Sequence, residues 1–306
     1  MPVSALLVAA ALTAAVAGDA QAEWRWFEGN RSFEPLTADP REPRLALEYI
    51  EAGDWSAKAG GAVTIASIIG NPLEEARATA DAARLLEPIE QFRIGMDGMA
   101  WLWLSSLPEY NFPLETVDGT IGLWAETSEG AWGGRLRLYH WSGHLADGAS
   151  DIEERRIVYS RETVAIVVSR ELSRTMRLYG GPAAYLHADP RTQAFQFQLG
   201  GRIGAAAPSG TATVDPLGAL GTIGSAAGLM TARDSGRPGF YAAFDLRMKA
   251  ENDYRVNQSY QVGFRFGRTR GNSMRLAAGY TNGMSERGQD WRTPEQFFSI
   301  GASFGD

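Results

Sequence analysis

Apolar and polar residues alternate with a period of two along most of the chain, the spacing at which successive side chains of a β-strand point to opposite faces. The segment 239–249 is the clearest case. Its apolar face carries Phe240, Ala242, Phe244, Leu246 and Met248. Its other face carries Asp245 and Arg247. The pattern therefore predicts strands that meet an apolar medium on one side and a polar interior on the other.

Segments of this kind number about twelve and continue nearly to the end of the 306-residue chain. Many are 10 to 14 residues long, whereas strands of soluble sheets usually have about 5 or 6 residues and tilted membrane-spanning strands about 9 to 11. A secreted β-sandwich would alternate too, but it could not expose Phe, Leu and Met on strand after strand. The predicted fold is therefore all-β, a closed antiparallel transmembrane β-barrel of about 12 strands, within a range of 10 to 14. The predicted strands are 43–51, 59–69, 91–104, 115–126, 131–144, 156–169, 174–186, 193–204, 239–249, 257–268, 273–282 and 295–304.

The connections between the predicted strands alternate between short and long. Outer-membrane barrels have short periplasmic turns and longer outer loops, so odd-numbered strands are predicted to run outward. Residues 70–90 and 205–238 are expected to be long periplasmic connections, each with room for a further strand pair. The last strand ends in alternating apolar residues and the aromatic Phe304. This ending resembles the signal by which barrels are recognised for insertion, so the barrel-insertion machinery is an expected partner.

The sequence pattern at the N-terminus predicts the cellular compartment of the protein. Residues 3–18 form a long apolar run, followed by the small-x-small pattern AQA that precedes cleavage sites, although no Lys or Arg comes before the run. Residues 1–22 are therefore predicted to be a cleaved signal peptide, 23–42 a periplasmic N-terminal segment, and 43–306 the barrel. The predicted location is the outer membrane of a Gram-negative bacterium.

The amino-acid composition excludes several classes of partner and reaction. A net charge of -7 argues against nucleic acid as a partner, because phosphate binding needs a basic surface. The chain has no Cys, which excludes thiolate chemistry, disulfides and a lipoprotein anchor, and no cofactor is implied. Charged residues on the polar face could line a narrow aqueous channel or form a filled interior. They are Arg93, Asp97, Asp118, Glu126, Arg135, Arg137, Arg177, Arg202, Asp245, Arg247, Arg265 and Arg275.

Three stretches carry a resemblance to a known family: FEPLTADPREPRLALEY at 33–49, RLRLYHWSGHLADG at 135–148, and RETVAIVVS through RLYGG at 161–181. Together they resemble an uncharacterised family of Gram-negative outer-membrane β-barrels, a domain of unknown function. The resemblance implies the barrel and its location but no activity. The central stretch departs from the family pattern at Gly143 and Gly148, where a Ser and an acidic residue are expected.

The central stretch, 135–148, contains two candidate catalytic residues. By alternation, His140 and Ser142 share the lipid-facing side of their strand near the outer rim. A hairpin that pairs His140 with Glu162 brings their Cβ atoms to about 5 Å. The three residues are candidates for a nucleophilic triad, with Ser142 attacking an acyl ester, His140 acting as general base and Glu162 orienting the imidazole.

This pattern is similar to the outer-membrane lipid A 3-O-deacylases, which carry such a triad on their outer wall. Those enzymes have Asn directly after the Ser, where this chain has Gly143, and their carboxylate follows more closely, nearer the position of Glu154. The alternative is a structural role, in which these polar residues meet lipid head groups and Trp141 is an interface anchor. A bulge at Ser142 would reverse the faces. His140 and His144 would be about 13 Å apart on a strand, too far to share a metal ion.

These observations lead to an outer-membrane β-barrel whose expected function is that of a narrow pore or a structural barrel. The alternative function is an acyl-ester hydrolase that acts on an outer-leaflet lipid through Ser142, His140 and Glu162. The expected partners are outer-membrane lipids, including lipopolysaccharide, and the barrel-insertion machinery. The sequence implies neither a metal site nor an oligomeric state.

Overall fold

A computed structural model describes most of the chain. The predicted signal peptide at 1–22 and the predicted periplasmic connections at 70–90 and 205–238 lie outside the described residues. Within the described part, no helix is long and apolar enough to span a membrane. The described residues are 23–27, 33–51, 53–69, 91–105, 112–146, 156–173, 175–204, 239–266 and 273–304.

The described residues form 13 strands and one 3-10 turn at Ala250–Asn252. Strands β2 to β13 correspond one to one to the twelve predicted strands. Two of them, β4 and β10, have the predicted bounds. Strand β1 was not predicted, because four residues are too few to show alternation. The strands are β1 (Glu23–Trp26), β2 (Leu45–Ile50), β3 (Trp55–Ile69), β4 (Gln91–Leu104), β5 (Leu114–Glu129), β6 (Trp132–Leu145), β7 (Tyr159–Ser173), β8 (Met176–Asp189), β9 (Phe195–Gly204), β10 (Gly239–Lys249), β11 (Val256–Phe266), β12 (Met274–Met284) and β13 (Pro294–Phe304).

Strands β2 to β13 form a closed antiparallel ring. Each strand pairs with its neighbours in the chain, and β2 pairs with β13 to close the barrel. Strand β2 pairs with residues 55–58 of β3, and β1 pairs with residues 66–69 at the other end of the same strand. The predicted fold, an all-β closed barrel of 12 strands, is confirmed. We call the end of the barrel at which β13 finishes the inner rim, and the opposite end, where β12 connects to β13, the outer rim.

The two faces of the barrel wall differ as the alternation predicts. Large apolar side chains on the outside are exposed, for example Phe240 at 57% and Ile300 at 70%. A soluble protein does not expose apolar surface on this scale, whereas a lipid-facing barrel wall does. All twelve charged residues predicted to face inward are at least 90% buried, from Glu126 at 1% exposed to Arg247 at 8%.

The barrel interior is occupied by the chain that precedes β2. Residues 33–44, here called the internal segment, are almost entirely buried. The backbone of Phe33 donates to Glu126 on β5 near the inner rim, and Arg44 leads into β2 at the same rim. The range 23–42, predicted to be a periplasmic segment, thus contains one strand that pairs with the barrel and a stretch that lies inside it.

Ion pairs hold the internal segment to the barrel wall. Arg135 on β6 binds Glu42 through two hydrogen bonds of 2.7 and 2.9 Å. Arg202 on β9 lies 3.2 Å from Glu34. The segment also turns on itself, because Arg44 donates to three of its carbonyl oxygens at 2.8 to 2.9 Å. Arg135 and Arg202 of the wall therefore have buried carboxylates of this segment as partners.

The connection between β12 and β13 enters the barrel from the outer rim. Residues 285–293 form this connection and are here called the outer loop. Within the loop, the backbone N–H of Gly288 donates to Asp118 Oδ2 at 2.7 Å. The loop crosses β6 at Gly143, where a Cβ would lie 2.7 Å from Gly288 Cα. This close approach leaves no room for a side chain at position 143, where the family resemblance predicted a Ser. Gln289 donates to the Gly143 carbonyl at 2.6 Å.

The internal segment and the outer loop meet inside the barrel. Arg41 of the segment pairs with Glu286 of the loop at 2.6 Å. Burial alone would raise the pKa of Glu286, but the positive charges of Arg41, Lys249 and Arg247 hold the pKa of this carboxyl well below its usual value. Two interior cavities, of about 20 and 40 Å³, have the size that one or a few water molecules fill.

Candidate functional site

Strand β6 carries the candidate residues on the outer wall. Arg135, Arg137, Tyr139, Trp141 and Gly143 alternate inward and are buried, so His140 and Ser142 face outward. No bulge interrupts the pairing of β6 with β5 or with β7 at these positions. The structure therefore places both residues on the predicted lipid-facing side. Trp141 is 1% exposed and packs against Trp101, so it is not the interface anchor that was considered.

His140 forms a pair with Glu162 across the β6–β7 hairpin. The two residues are directly opposite in the register, as predicted, and His140 Nδ1 lies 2.9 Å from Glu162 Oε1. Because a carboxylate only accepts hydrogen bonds, the Nδ1–H of the imidazole is the donor, and in the neutral ring Nε2 is then the acceptor. The His140 side chain is 42% exposed and that of Glu162 38%. A histidine held in one tautomer by a carboxylate is the arrangement that a general base requires.

Ser142 lies on the same face, two residues closer to the outer rim. It stands between Gly119 on β5 and Ser160 on β7. A Cβ at Gly119 would lie 3.6 Å from Ser142 Oγ, so the side of the hydroxyl toward β5 is open. Among the described residues, no hydrogen bond joins Ser142 to His140. Proton transfer between them needs a rotation of the serine side chain, and such bonds commonly form only when substrate is bound.

The other candidates of the central stretch fall outside this group. His144 is exposed and stands beyond Ser142 toward the outer rim. Glu154, the carboxylate at the deacylase-like spacing, lies outside the described residues, as does Gly148. The described residues contain no cluster of three or more His, Asp or Glu side chains with the geometry of a metal site.

Sequence reasoning missed two residues that the register brings to this surface. His187 on β8 is opposite Glu162, and Asp189 is opposite Ser160. A bulge after Glu162 shifts the pairing of β7 with β8 by one residue, which alternation alone does not reveal. Both side chains are exposed. The one signal in the sequence was that His187 is the third of only three histidines.

The comparisons with known proteins identify a family. The chain belongs to the family described as "Protein of unknown function (DUF1207)", whose model matches residues 26–220. No curated protein matches the chain. Among solved structures, the chain is similar to outer membrane phospholipase A from Escherichia coli, with 12% identity over 88% of this chain and 95% of that one and a TM-score of 0.42. It is also similar to the calcium-bound outer membrane phospholipase dimer of Salmonella typhi, with 11% identity over 90% of this chain and 95% of that one and a TM-score of 0.41.

Proposed function

We propose that this member of the DUF1207 family is an acyl-ester hydrolase that acts on a lipid of the outer leaflet of the outer membrane. The observation that supports the proposal is the 2.9 Å contact between His140 Nδ1 and Glu162 Oε1 on the outward face of the barrel, with Ser142 on the same face. Polar and ionisable residues on a lipid-facing surface are costly and rarely kept without a role.

Each residue has a defined part in the proposed reaction. Ser142 Oγ attacks the ester carbonyl carbon while its proton passes to His140 Nε2, and Glu162 stabilises the imidazolium through Nδ1. The bond from the carbonyl carbon to the alcohol oxygen then breaks, and that oxygen takes the proton from His140. Water attacks the resulting acyl-serine in the same way, which releases the fatty acid and restores Ser142.

The position of the three residues along the wall fits an ester substrate. Ser142 lies three residues before the end of β6 at Leu145, roughly 10 Å along the strand from its outer end at 3.3 Å per residue. Toward the inner rim, the exposed surface below His140 is apolar, with Leu138 at 46% and Leu123 at 58%. The nucleophile thus stands at the boundary between polar and apolar wall, where the ester groups of a lipid leaflet lie.

The filled interior weighs against the other expected function, a narrow pore. The internal segment and the outer loop occupy the barrel from both rims and meet at Arg41 and Glu286. Movement of ions through this interior would first require breaking buried ion pairs. We therefore expect no ion conductance when the purified protein is added to planar bilayers, and steady conductance would favour the pore.

The proposal includes the predicted location and partners. Export through the signal peptide at 1–22, insertion by the barrel-insertion machinery and contact with lipopolysaccharide remain predictions. Each is consistent with a closed barrel whose exposed surface is apolar.

The test compares Ser142→Ala with the wild-type protein in vesicles. The substrates are phosphatidylethanolamine and purified lipopolysaccharide, offered separately, and the readout is released fatty acid. The matched control is Thr127→Ala, which removes an exposed hydroxyl from the same wall near the inner rim. We expect release by the wild-type and control proteins and a loss of at least about 100-fold in Ser142→Ala. Equal release by Ser142→Ala and wild type would contradict the proposal.

A further inference from the structure

The wall around Ser142 differs sharply on its two sides. At the level of Ser142, the strands on one side present Gly119 and then Ala100 outward, whereas those on the other side present Ser160 and then Asp189. One side is therefore small and apolar, and the other is polar and carries a negative charge.

The next level toward the inner rim repeats this division. On the β5 side of His140 stands Ile121, which is 56% exposed. On the β7 side stand Glu162 and then His187. Leu186, the extra residue at the bulge in β8, is the apolar exception on the polar side. The boundary between the two kinds of wall thus follows β6, the strand that carries the proposed nucleophile.

The β5 side has the properties that a hydrocarbon chain requires. Because Gly119 has no side chain, there is space next to Ser142 Oγ on this side. Ile121, Leu123 and Met96 continue the exposed apolar surface toward the inner rim, at 56%, 58% and 40% exposure. An acyl chain that leaves the serine over Gly119 would meet apolar surface along its path into the membrane.

The β7–β8 side has the properties that the alcohol part of a lipid requires. Ser160 and His187 offer hydrogen-bonding groups, and Asp189 offers an exposed carboxylate. Glu162 is paired with His140 and its Oε2 is buried, so the exposed Asp189 is the carboxylate that a substrate on this side can reach. An exposed carboxylate on this side favours a head group that carries a cationic amine.

We infer that the substrate lies across β6 with its ester group at Ser142. Its fatty acyl chain lies over Gly119 toward β4, and its alcohol part lies over Ser160 toward Asp189. This inference rests on the proposed hydrolase. It makes Gly119 the position that determines acyl-chain length, and Asp189 the position that determines head-group preference. The substrate class is a lipid ester whose alcohol part carries a cationic amine.

The test uses two substitutions and two substrate ratios in the full-length protein. Gly119→Val fills the space on the β5 side, and Asp189→Asn removes the charge on the β8 side. The first ratio compares palmitoyl with butyryl p-nitrophenyl esters in mixed micelles. The second compares phosphatidylethanolamine with phosphatidylglycerol of the same acyl chains. Gly61→Val is the matched control, because Gly61 on β3 faces open space away from Ser142.

We expect Gly119→Val to lower the palmitoyl-to-butyryl ratio by about tenfold and to leave the head-group ratio within about twofold. Asp189→Asn is expected to lower the ethanolamine-to-glycerol ratio by about threefold to tenfold, with an unchanged chain-length ratio. The inference is overturned if Gly119→Val remains active with an unchanged chain-length ratio, or if each substitution alters the ratio assigned to the other. Hydrolysis that persists in Ser142→Ala would instead reject the hydrolase itself, so the two failures are distinguishable.

Discussion

The interior and the outer wall of this barrel treat charge in opposite ways. Inside, Arg135 and Glu42 are 5% and 1% exposed and join two chain segments that are distant in sequence. Outside, His140 and Glu162 are 42% and 38% exposed and join two strands that are already paired by their backbones. The interior pairs therefore hold the fold together, whereas the outer pair contributes little to it.

This difference separates two properties that often overlap in enzymes. Removing one partner of a buried pair leaves an uncompensated charge, which is strongly destabilising. Removing one partner of a half-exposed pair costs little, because water or lipid head groups solvate the other. Stability and the proposed activity should thus respond to different substitutions.

The largest expected effect is on stability, from Glu42→Gln. This substitution removes the negative charge that accepts two hydrogen bonds from the buried Arg135 guanidinium, and we expect a loss of about 3–5 kcal/mol in the free energy of unfolding. Urea unfolding in lipid vesicles measures it. Glu51→Gln, in the exposed turn between β2 and β3, is the matched control and should change stability by less than about 0.5 kcal/mol. Equal values for the two variants would erase the contrast between interior and surface.

The second effect is on activity, from Glu162→Gln. The amide keeps the shape of the side chain but cannot stabilise the imidazolium, so ester hydrolysis should fall by about 100-fold. The free energy of unfolding should change by less than about 1 kcal/mol, because the pair is half exposed. Parallel losses of both quantities would mean that the outer pair is structural, as the interior pairs are.

The third effect tests the contact between the outer loop and β6. In Gly143→Ser, the new side chain would meet Gly288 backbone at 2.7 Å, and we expect a loss of about 1–3 kcal/mol and faster cleavage of the loop by an external protease. Gly134→Ser on the same strand is the control, since a Cβ there meets its nearest neighbour at an ordinary 3.4 Å. Identical protease resistance of the two variants would show that the loop does not depend on Gly143.

The last effect concerns the pH dependence of the stability that Glu286 contributes. Its pKa in the folded barrel lies well below the unfolded value of about 4.3. The stability it contributes is therefore fully present above that value and is lost as the pH falls toward the folded pKa. The difference in unfolding free energy between wild type and Glu286→Gln should be constant from about pH 8 to pH 5 and shrink below about pH 4. A difference that changes near neutral pH would indicate another titrating group.

The strands and the outward face were predictable because their signals are local. Alternation predicts the position of each strand and the face of each side chain, and pairing of consecutive antiparallel strands about the expected tip of the β6–β7 connection aligns His140 with Glu162. The proposed triad could therefore be assembled from sequence up to the position of each side chain. The missing quantity was the geometry of Ser142, which depends on rotamers and on a neighbouring glycine.

The interior was not predictable because its contacts are remote and irregular. Residues 33–44 show no periodicity, and the hydrogen bond from Phe33 to Glu126 spans 93 positions. The outer loop likewise has no sequence pattern that predicts its path into the barrel. On the wall, the bulge after Glu162 was equally unpredictable, and it places His187 opposite Glu162. Charge alone indicated that the inward arginines needed partners, but it did not indicate where those partners lie in the chain.

The contact between Arg41 and Glu286 forms only when both ends of the barrel sequence are present. These two residues lie near opposite ends of the chain, and the ring itself closes only when β13 pairs with β2. Arg41 of the internal segment thus has Glu286 as a partner only after the outer loop has been synthesised. A barrel that lacks the β12–β13 hairpin therefore lacks both this ion pair and the closing strand pairing, and we expect it to be less stable than the complete one.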